Sequence, residues 1–319
     1  MSGHLLEARD VQKHFFVREG LRRRALRAVD GVSLYVDPGE TLGLVGESGC
    51  GKTTLGRTLL RLYEPTGGEV FFDGQRVDRQ SMRALRRRMQ MVFQDPYSSL
   101  DPRMTAAELI GEALDIHRLC PTRASRRARV EELMALVGLD PAHAQRRPHA
   151  FSGGQRQRIG IARALAVDPS FLVCDEPVSA LDTSVQAQVL NTLMDLQKQL
   201  GLAYLFISHD LSVVGHISHR IAVMYMGRIV ETGAADAVLD APLHPYTRAL
   251  LEAVPTADPR DPRPAFRPEA EPPGLLHAPG GCAYHPRCPL STARCAREAP
   301  ALRGRDDGRE VACHCAFDI

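Results

Sequence analysis

The sequence predicts an α/β fold that ends in a cysteine-rich tail. Three observations carry that expectation. Short apolar strands alternate with helical patterns through residue ~240. One strand, "TLGLVGE" (41–47), runs directly into a glycine-rich turn and then a helical stretch. Past Val254 the alternation stops: residues 255–279 contain eight prolines, and five of the chain's eight cysteines lie in its last 38 residues.

Taken in order, the strands are "TLGLVGE", "MQMVFQD" (89–95), "FLVCDEP" (171–177) and "AYLFISHD" (203–210), each an apolar run of strand length. Between Gln94 and Ser152 the pattern is mainly helical. "TAAELIGEALDIH" opens on Thr105 with Glu108 three residues on, a capping box. "RASRRARVEELMALVG" (123–138) places apolar residues on one face and arginines on the other. This stretch reads as a helical insert in the α/β core. "IAVMYMGRIVETG" (221–233) reads as a hairpin turning at Met226-Gly227. The proline-rich stretch reads as a stiff, extended linker. The expected division is therefore residues 1–254 as the main folded part with a helical subdomain about 95–165, 255–279 as linker, and 280–319 as the cysteine-rich extension.

Composition narrows the function classes. A net charge of +2, no Trp and 5% aromatics give neither the basic field nor the stacking platforms of a nucleic-acid binder. The start, "MSGHLLEARD", has no apolar signal core, and no run reaches the roughly 18–20 apolar residues of a spanning helix. The expected location is cytosolic, with other chains doing any membrane spanning. The arginine runs Arg22–Arg24, Arg86–Arg88 and Arg126–Arg127 read as solvated faces.

"GESGCGKTT" (46–54) fits G-x-x-x-x-G-K-[ST] between a strand and a helix. Gly46, Gly49 and Gly51 let the backbone curl, so that N–H groups along Ser48, Cys50 and Thr54 face phosphate oxygens at a helix N-terminus. Lys52 would reach the β- and γ-phosphates, and Thr53 would put its hydroxyl on Mg²⁺. "FLVCDE" ends in Asp175, suited to the Mg²⁺ shell, and Glu176, placed to polarise an attacking water. "FSGGQRQRIGIARAL" (151–165) sets Ser152, Gly153, Gly154 and Gln155 at the start of a second helix, both a cap and an anion site.

With "VFQDP", "SALD" and "ISHD" in the same order, these stretches resemble the ATP-binding cassette of ABC-type ATPases over residues 5–240. The resemblance implies a phosphate-loop core with an antiparallel β subdomain and a helical subdomain. It implies that Gln94 belongs to the loop that links site and membrane partner and joins the Mg²⁺ shell. It also implies that "SALD" is the D-loop, with Asp182 among the nucleotide-binding residues, that His209 contacts the γ-phosphate, and that Phe15 stacks on adenine. Two cassettes would pair head-to-tail, each ATP held by the phosphate loop of one and the "SGGQ" of the other. The long stretches "LRRRMQMVFQDPYSSLDPRMT" and "HPYTRALLEAVP" and the tail resemble, more narrowly, the ATP-binding subunits of oligopeptide and dipeptide importers. That implies as partners a paralogous ATPase, two transmembrane permease subunits and an extracytoplasmic substrate-binding protein, with the chain peripheral on the cytoplasmic face. Nickel and glycoside importers share the layout. A soluble ABC ATPase acting on ribosomes or nucleic acid is the rival class, disfavoured by the single cassette.

The tail spacing is Cys282-x5-Cys288-x6-Cys295-x17-Cys313. Four thiolates suit a [4Fe–4S] cluster or Zn²⁺, and the short C-x2–4-C spacing usual for zinc is absent. The importer resemblance favours iron–sulfur on these four, with Cys315 an alternative fourth ligand. Cys50, Cys174 and Cys120 read as small packing residues.

Overall fold

The apolar runs become strands buried on both faces. In the computed structural model, which describes residues 3–19, 22–95, 97, 99–253 and 274–317, every residue of "TLGLV", "FLVCD" and "AYLFIS" is buried. Strands covered on both sides read as unbroken apolar runs, not as alternation. In chain order the strands are β1 (Leu6–Glu19), β2 (Arg22–Val36), β3 (Thr41–Val45), β4 (Gly67–Phe72), β5 (Gln75–Arg76), β6 (Met89–Val92), β7 (Phe171–Asp175), β8 (Ala203–Ser208), β9 (Arg220–Tyr225), β10 (Arg228–Ala234), β11 (Arg303–Gly304) and β12 (Glu310–Val311). The helices are α1 (Lys52–Leu59), α2 (Met82–Leu85), α3 (Ala106–Ile116), α4 (Arg123–Leu136), α5 (Gly153–Leu165), α6 (Thr183–Leu200), α7 (Leu211–Ile217), α8 (Ala235–Asp240), α9 (Pro245–Glu252) and α10 (Ala293–Arg297).

The chain divides into two units. The first holds Met1–Tyr35, Thr41–Arg76 and Ile207–Ile319. It contains a four-stranded sheet in the order β2-β1-β4-β5, and a run of strands in the order β11-β12-β10-β9-β3. In that run β3 and β9 are parallel, with Gly43 opposite Ile221, and the remaining pairs are antiparallel. The β9–β10 hairpin turns where expected: Met226 and Gly227 both have positive φ, 45° and 83°, the combination a tight two-residue turn needs. α7 packs so closely on β3 that a Cβ on Gly43 would lie 2.2 Å from Val214 Cγ1.

The second unit holds Val36–Glu40 and Val77–Phe206. Its strands run β8-β7-β6, with β6 and β7 parallel. The helical insert is here. α3 starts at the expected capping box, Thr105 and Glu108 exchanging side-chain and backbone hydrogen bonds. It packs against α4 and α5 through Leu109, Ile110 and Leu114, while α4 buries Val130, Leu133 and Met134. α4 stops at Leu136 because Gly138, at φ 72°, turns the chain left-handed.

Several elements are shorter than their sequence patterns. β7 ends at Asp175 because Glu176 sits at φ 45°, outside the strand region. α1 ends at Leu59, where Arg61 takes φ 52°. β6 ends at Val92 and β8 at Ser208, two to three residues before the polar ends of the quoted runs. The expected linker at 255–279 lies largely outside the described residues. No helix among the described residues is long and apolar enough to cross a membrane.

Candidate functional site

In the first unit β3 delivers the chain into the turn 46–51 and out through α1. Two glycines make the turn possible. Gly46 has φ 155°, and a Cβ there would lie 2.2 Å from the Met224 carbonyl oxygen; Gly51 has φ 112°, and a Cβ there would lie 2.0 Å from that of Ala28. Both obstacles are backbone, so no side chain can be accommodated by rotation. Ser48 and Gly49 are exposed at the crest, and Cys50 is buried beneath it. Burial pushes the Cys50 thiol up, so it stays a packing group and not a nucleophile. Lys52 is 4% exposed. Its Nζ donates to the carbonyl oxygens of Gly46 (2.6 Å) and Glu47 (3.0 Å). The ammonium is thus held against the loop by these two carbonyls, with Cys50 Sγ 3.9 Å away, contacts an incoming anion can replace. Thr53 and Thr54 follow, half-buried, in the first turn of α1.

Residues that the sequence did not single out hold the loop from outside. Glu47 N–H donates to Tyr246 Oη at 2.8 Å. Arg287 donates through both terminal nitrogens to the two Glu47 carboxylate oxygens, at 2.9 and 2.8 Å. His209 is exposed just past the end of β8. The next residue, Asp210, caps α7 by accepting from Ser212 N–H and Val213 N–H. Phe15, on β1, meets Tyr63 edge-on at 5.6 Å, with the Lys13 ammonium 5.0 Å from its ring centre.

In the second unit Asp175 is 1% exposed at the end of β7. Glu176 follows, and its backbone turn brings its carboxylate to Gln94: Nε2 of Gln94 donates to Glu176 Oε2 at 2.9 Å. Two residues 82 apart in sequence are thereby joined. Ser179 Oγ donates to the Glu176 carbonyl at 3.1 Å, pinning the backbone of this turn. Ser152 is the cap of α5: its Oγ accepts from Gln155 N–H, and the Gln155 side chain returns the bond to Ser152 N–H. Gly153 and Gly154 form the first turn, and Gly154 packs so that a Cβ would lie 2.2 Å from Val185 Cγ1. Asp182 caps α6, and its hydrogen bonds, first that from Val185 N–H and then that from Ser184, hold its carboxyl below the usual range.

The tail belongs to the first unit. Burial is the main cause that raises the thiols of Cys282 and Cys313 and pushes Cys288 up to about 11, and neighbouring tail cysteines add to each of the three: Cys295 and Cys315 act on Cys282, Cys313, Cys282 and Cys295 act on Cys288, and Cys282 and Cys295 act on Cys313. Cys282 N–H donates to the Cys295 carbonyl at 2.8 Å. The four expected ligands therefore share one region. Among the described residues, no group of three or more His, Cys, Asp or Glu is gathered as metal ligands. Cys174 is fully buried and its thiol is pushed up to about 12 by burial.

Comparison with known proteins follows the same lines. Residues 29–179 match the ABC transporter family, and residues 230–295 match the family described as oligopeptide/dipeptide transporter, C-terminal region. The chain is 52% identical, over 98% of its length and 90% of the relative's, to the probable peptide ABC transporter ATP-binding protein y4tS of Sinorhizobium fredii. It is 51% identical, over 97% of both chains, to the di/tripeptide transport ATP-binding protein DppF of Pseudomonas aeruginosa. Among solved structures, a dimeric ATP-binding cassette in a post-hydrolysis state with ADP and phosphate matches at a TM-score of 0.64 and 28% identity, covering 72% of this chain and 98% of that one. Fold, motifs and relatives agree, and the chain belongs to the ABC transporter family of ATP-binding subunits, in its oligopeptide and dipeptide branch.

Proposed function

We propose that this chain is the ATP-hydrolysing subunit that powers import of oligopeptides or dipeptides through a membrane ABC transporter. The observation that carries the reading is the loop 46–51, closed by two glycines on which no side chain fits, with the Lys52 ammonium resting on its carbonyls. The peptide branch is supported by the match of residues 230–295 and by relatives named for peptide transport.

In this reading Gly46, Ser48, Gly49, Cys50, Gly51, Lys52, Thr53 and Thr54 cradle the phosphates, Lys52 exchanging its carbonyl partners for phosphate oxygens. Phe15 stacks on the base. Thr53, Gln94 and Asp175 are the residues that would hold Mg²⁺; a hydroxyl, an amide and a buried carboxylate are the hard oxygen donors the ion prefers. When bound, Mg²⁺ neutralises phosphate charge. Glu176 takes a proton from the attacking water, held in aim by Gln94, and His209 contacts the γ-phosphate. Ser152, Gly153, Gly154, Gln155 and Asp182 serve the nucleotide of a paired, paralogous ATPase, so one chain completes no site alone. The two ATPases sit on two permease subunits at the cytoplasmic face, fed by an extracytoplasmic substrate-binding protein.

Residues 1–254 form the ATPase domain with its helical subdomain about 95–165, 255–279 the linker and 280–319 the cysteine-rich extension. Its four thiols are the soft donor set of an iron–sulfur cluster. Cys282, Cys288, Cys295 and Cys313 would hold a [4Fe–4S] cluster, with Zn²⁺ the alternative occupant and Cys315 the alternative ligand.

The test is Glu176→Gln in the complex reconstituted with its paired ATPase and permeases. The amide keeps the hydrogen bond to Gln94 but cannot take a proton. Turnover should fall by a factor on the order of 100 or more, with ATP retained. Undiminished turnover would remove Glu176 from the role assigned to it.

A further inference from the structure

Glu47 poses an electrostatic problem. It is the second residue of the loop that receives a polyanion, and it is itself an anion. Its carbonyl is a hydrogen-bond acceptor of Lys52 Nζ at 3.0 Å, so its carboxylate hangs from the residue on which the phosphate-binding ammonium rests. A free carboxylate here would repel phosphate and compete with it for Lys52.

The chain answers this from 240 positions away. Arg287 lies on the short turn His285–Arg287, between Cys282 and Cys288. Its side chain is 4% exposed, against 29% for that of Glu47, and it grips the carboxylate with two parallel hydrogen bonds of 2.9 and 2.8 Å, the geometry that fixes direction as well as distance. The guanidinium lies 5.9 Å from the ring centre of Tyr225 and 5.6 Å from that of Tyr284, and it donates to Tyr225 Oη at 3.4 Å. Tyr246, packed 4.5 Å from Tyr225 and 5.4 Å from Tyr284, takes the Glu47 N–H. One buried aromatic cluster thus anchors both the backbone and the carboxylate of Glu47. The turn carrying Arg287 is tied to the cysteine region by His285 N–H to the Cys282 carbonyl and Cys282 N–H to the Cys295 carbonyl.

We propose that Arg287 is a positioning residue for nucleotide binding: it holds the Glu47 carboxylate away from the phosphates and from Lys52, and so makes ATP affinity depend on the folded cysteine-bearing tail. The proposal rests on the reading of residues 46–54 as the ATP loop. The dependence is reciprocal, because a tail that favours bound ATP is itself stabilised by ATP.

The experiment is equilibrium titration of the full chain with a fluorescent ATP analogue, using the unvaried protein, Arg287→Gln, Arg287→Lys, Glu47→Gln and the double variant Glu47→Gln/Arg287→Gln. Arg287→Gln should bind about 10-fold more weakly. The double variant should return to within about 2-fold of the unvaried chain, because the freed carboxylate is gone, and Arg287→Lys should recover part of the loss. Rescue by removing the second charge is something a merely structural arginine would not show. A double variant as weak as Arg287→Gln overturns the proposal, as does an Arg287→Gln protein that binds like the unvaried one. Absence of binding by the unvaried chain, both alone and with its paired ATPase present, would overturn the ATP-loop reading and this proposal with it. If Arg287→Gln does not fold, limited proteolysis of the unvaried chain tests the same coupling: ATP should slow release of the tail at residues 274–317, and an unchanged rate overturns the proposal.

Discussion

The imidazole of His244 is 2% exposed, and hydrogen bonds fix its tautomer. Nδ1 accepts from Tyr246 N–H at 3.0 Å, capping α9, and the ring donates to the Ala312 backbone. Both bonds suit the neutral ring, and protonation would destroy the first. Burial accordingly lowers its pKa from 6.5 to about 4. A group depressed in the folded state contributes stability that is full above pH 6.5 and lost as the pH falls toward 4. At pH 5.5 the loss should be on the order of 1 kcal/mol relative to pH 7.5. Glu231, which accepts from His244 N–H at 2.9 Å, has a pKa raised by burial, so its own contribution runs the other way across the acid range. Urea unfolding at the two pH values, compared between the unvaried chain and His244→Gln, isolates the imidazole: the variant should lose that part of the slope. An identical pH slope in both proteins would show that His244 is not its source. At this scale the sequence was legible where spacing is local. Lys52, Asp175 and Glu176 declare themselves within a few residues of their strands. Arg287 does not, because its meaning lies in a carboxylate 240 positions away and nothing in "HPRCP" points there.

Among the elements, α5 shows two uses of one residue. Ser152 Oγ accepts from Gln155 N–H at 3.3 Å, an ordinary capping bond, and the proposed function asks the same end of the helix to face a phosphate. Substitution separates the two. Asp is as good a cap as Ser, but its charge opposes an anion. Ser152→Asp should leave thermal stability unchanged and abolish ATP hydrolysis in the assembled transporter, whereas Ser152→Ala should cost about 1 kcal/mol of stability. Full activity in Ser152→Asp would confine the residue to capping. Element types were legible because period and caps are local: the box at Thr105 and Glu108 and the turn at Met226-Gly227 form where the sequence places them. Element ends were less so. β7 stops one residue before Glu176 because that residue turns left-handed, a backbone choice that an apolar run does not encode.

For the chain as a whole, the α/β core and the helical insert could be read from alternation and motif, but the pairing of the last strands could not. β11 and β12 are two residues each, too short to carry a pattern, yet β12 pairs with β10 through Glu231 opposite Val311. The tail has few apolar residues for a core of its own, and a metal centre would supply the missing constraint. Anaerobic purification followed by iron, sulfide and zinc analysis should give about four irons per chain with matching sulfide, and Cys282→Ser should lose them and make the tail protease-sensitive. Zinc in their place would change the chemistry of the centre, and protein that binds ATP with neither metal would remove the centre from the proposal.

The pairing of β12 on β10 also sets an order of events during synthesis. β10 is complete at Ala234, but its partner at Glu310–Val311 is made some 76 residues later, counting from 234 to 310. Until then the growing chain presents an open strand edge, with Ile229 and Val230 beside it, of the kind that recruits other strands. Synthesis of Glu310–Val311 is therefore the step that closes this edge, and a ribosome stalled before it would display a ready template for aggregation.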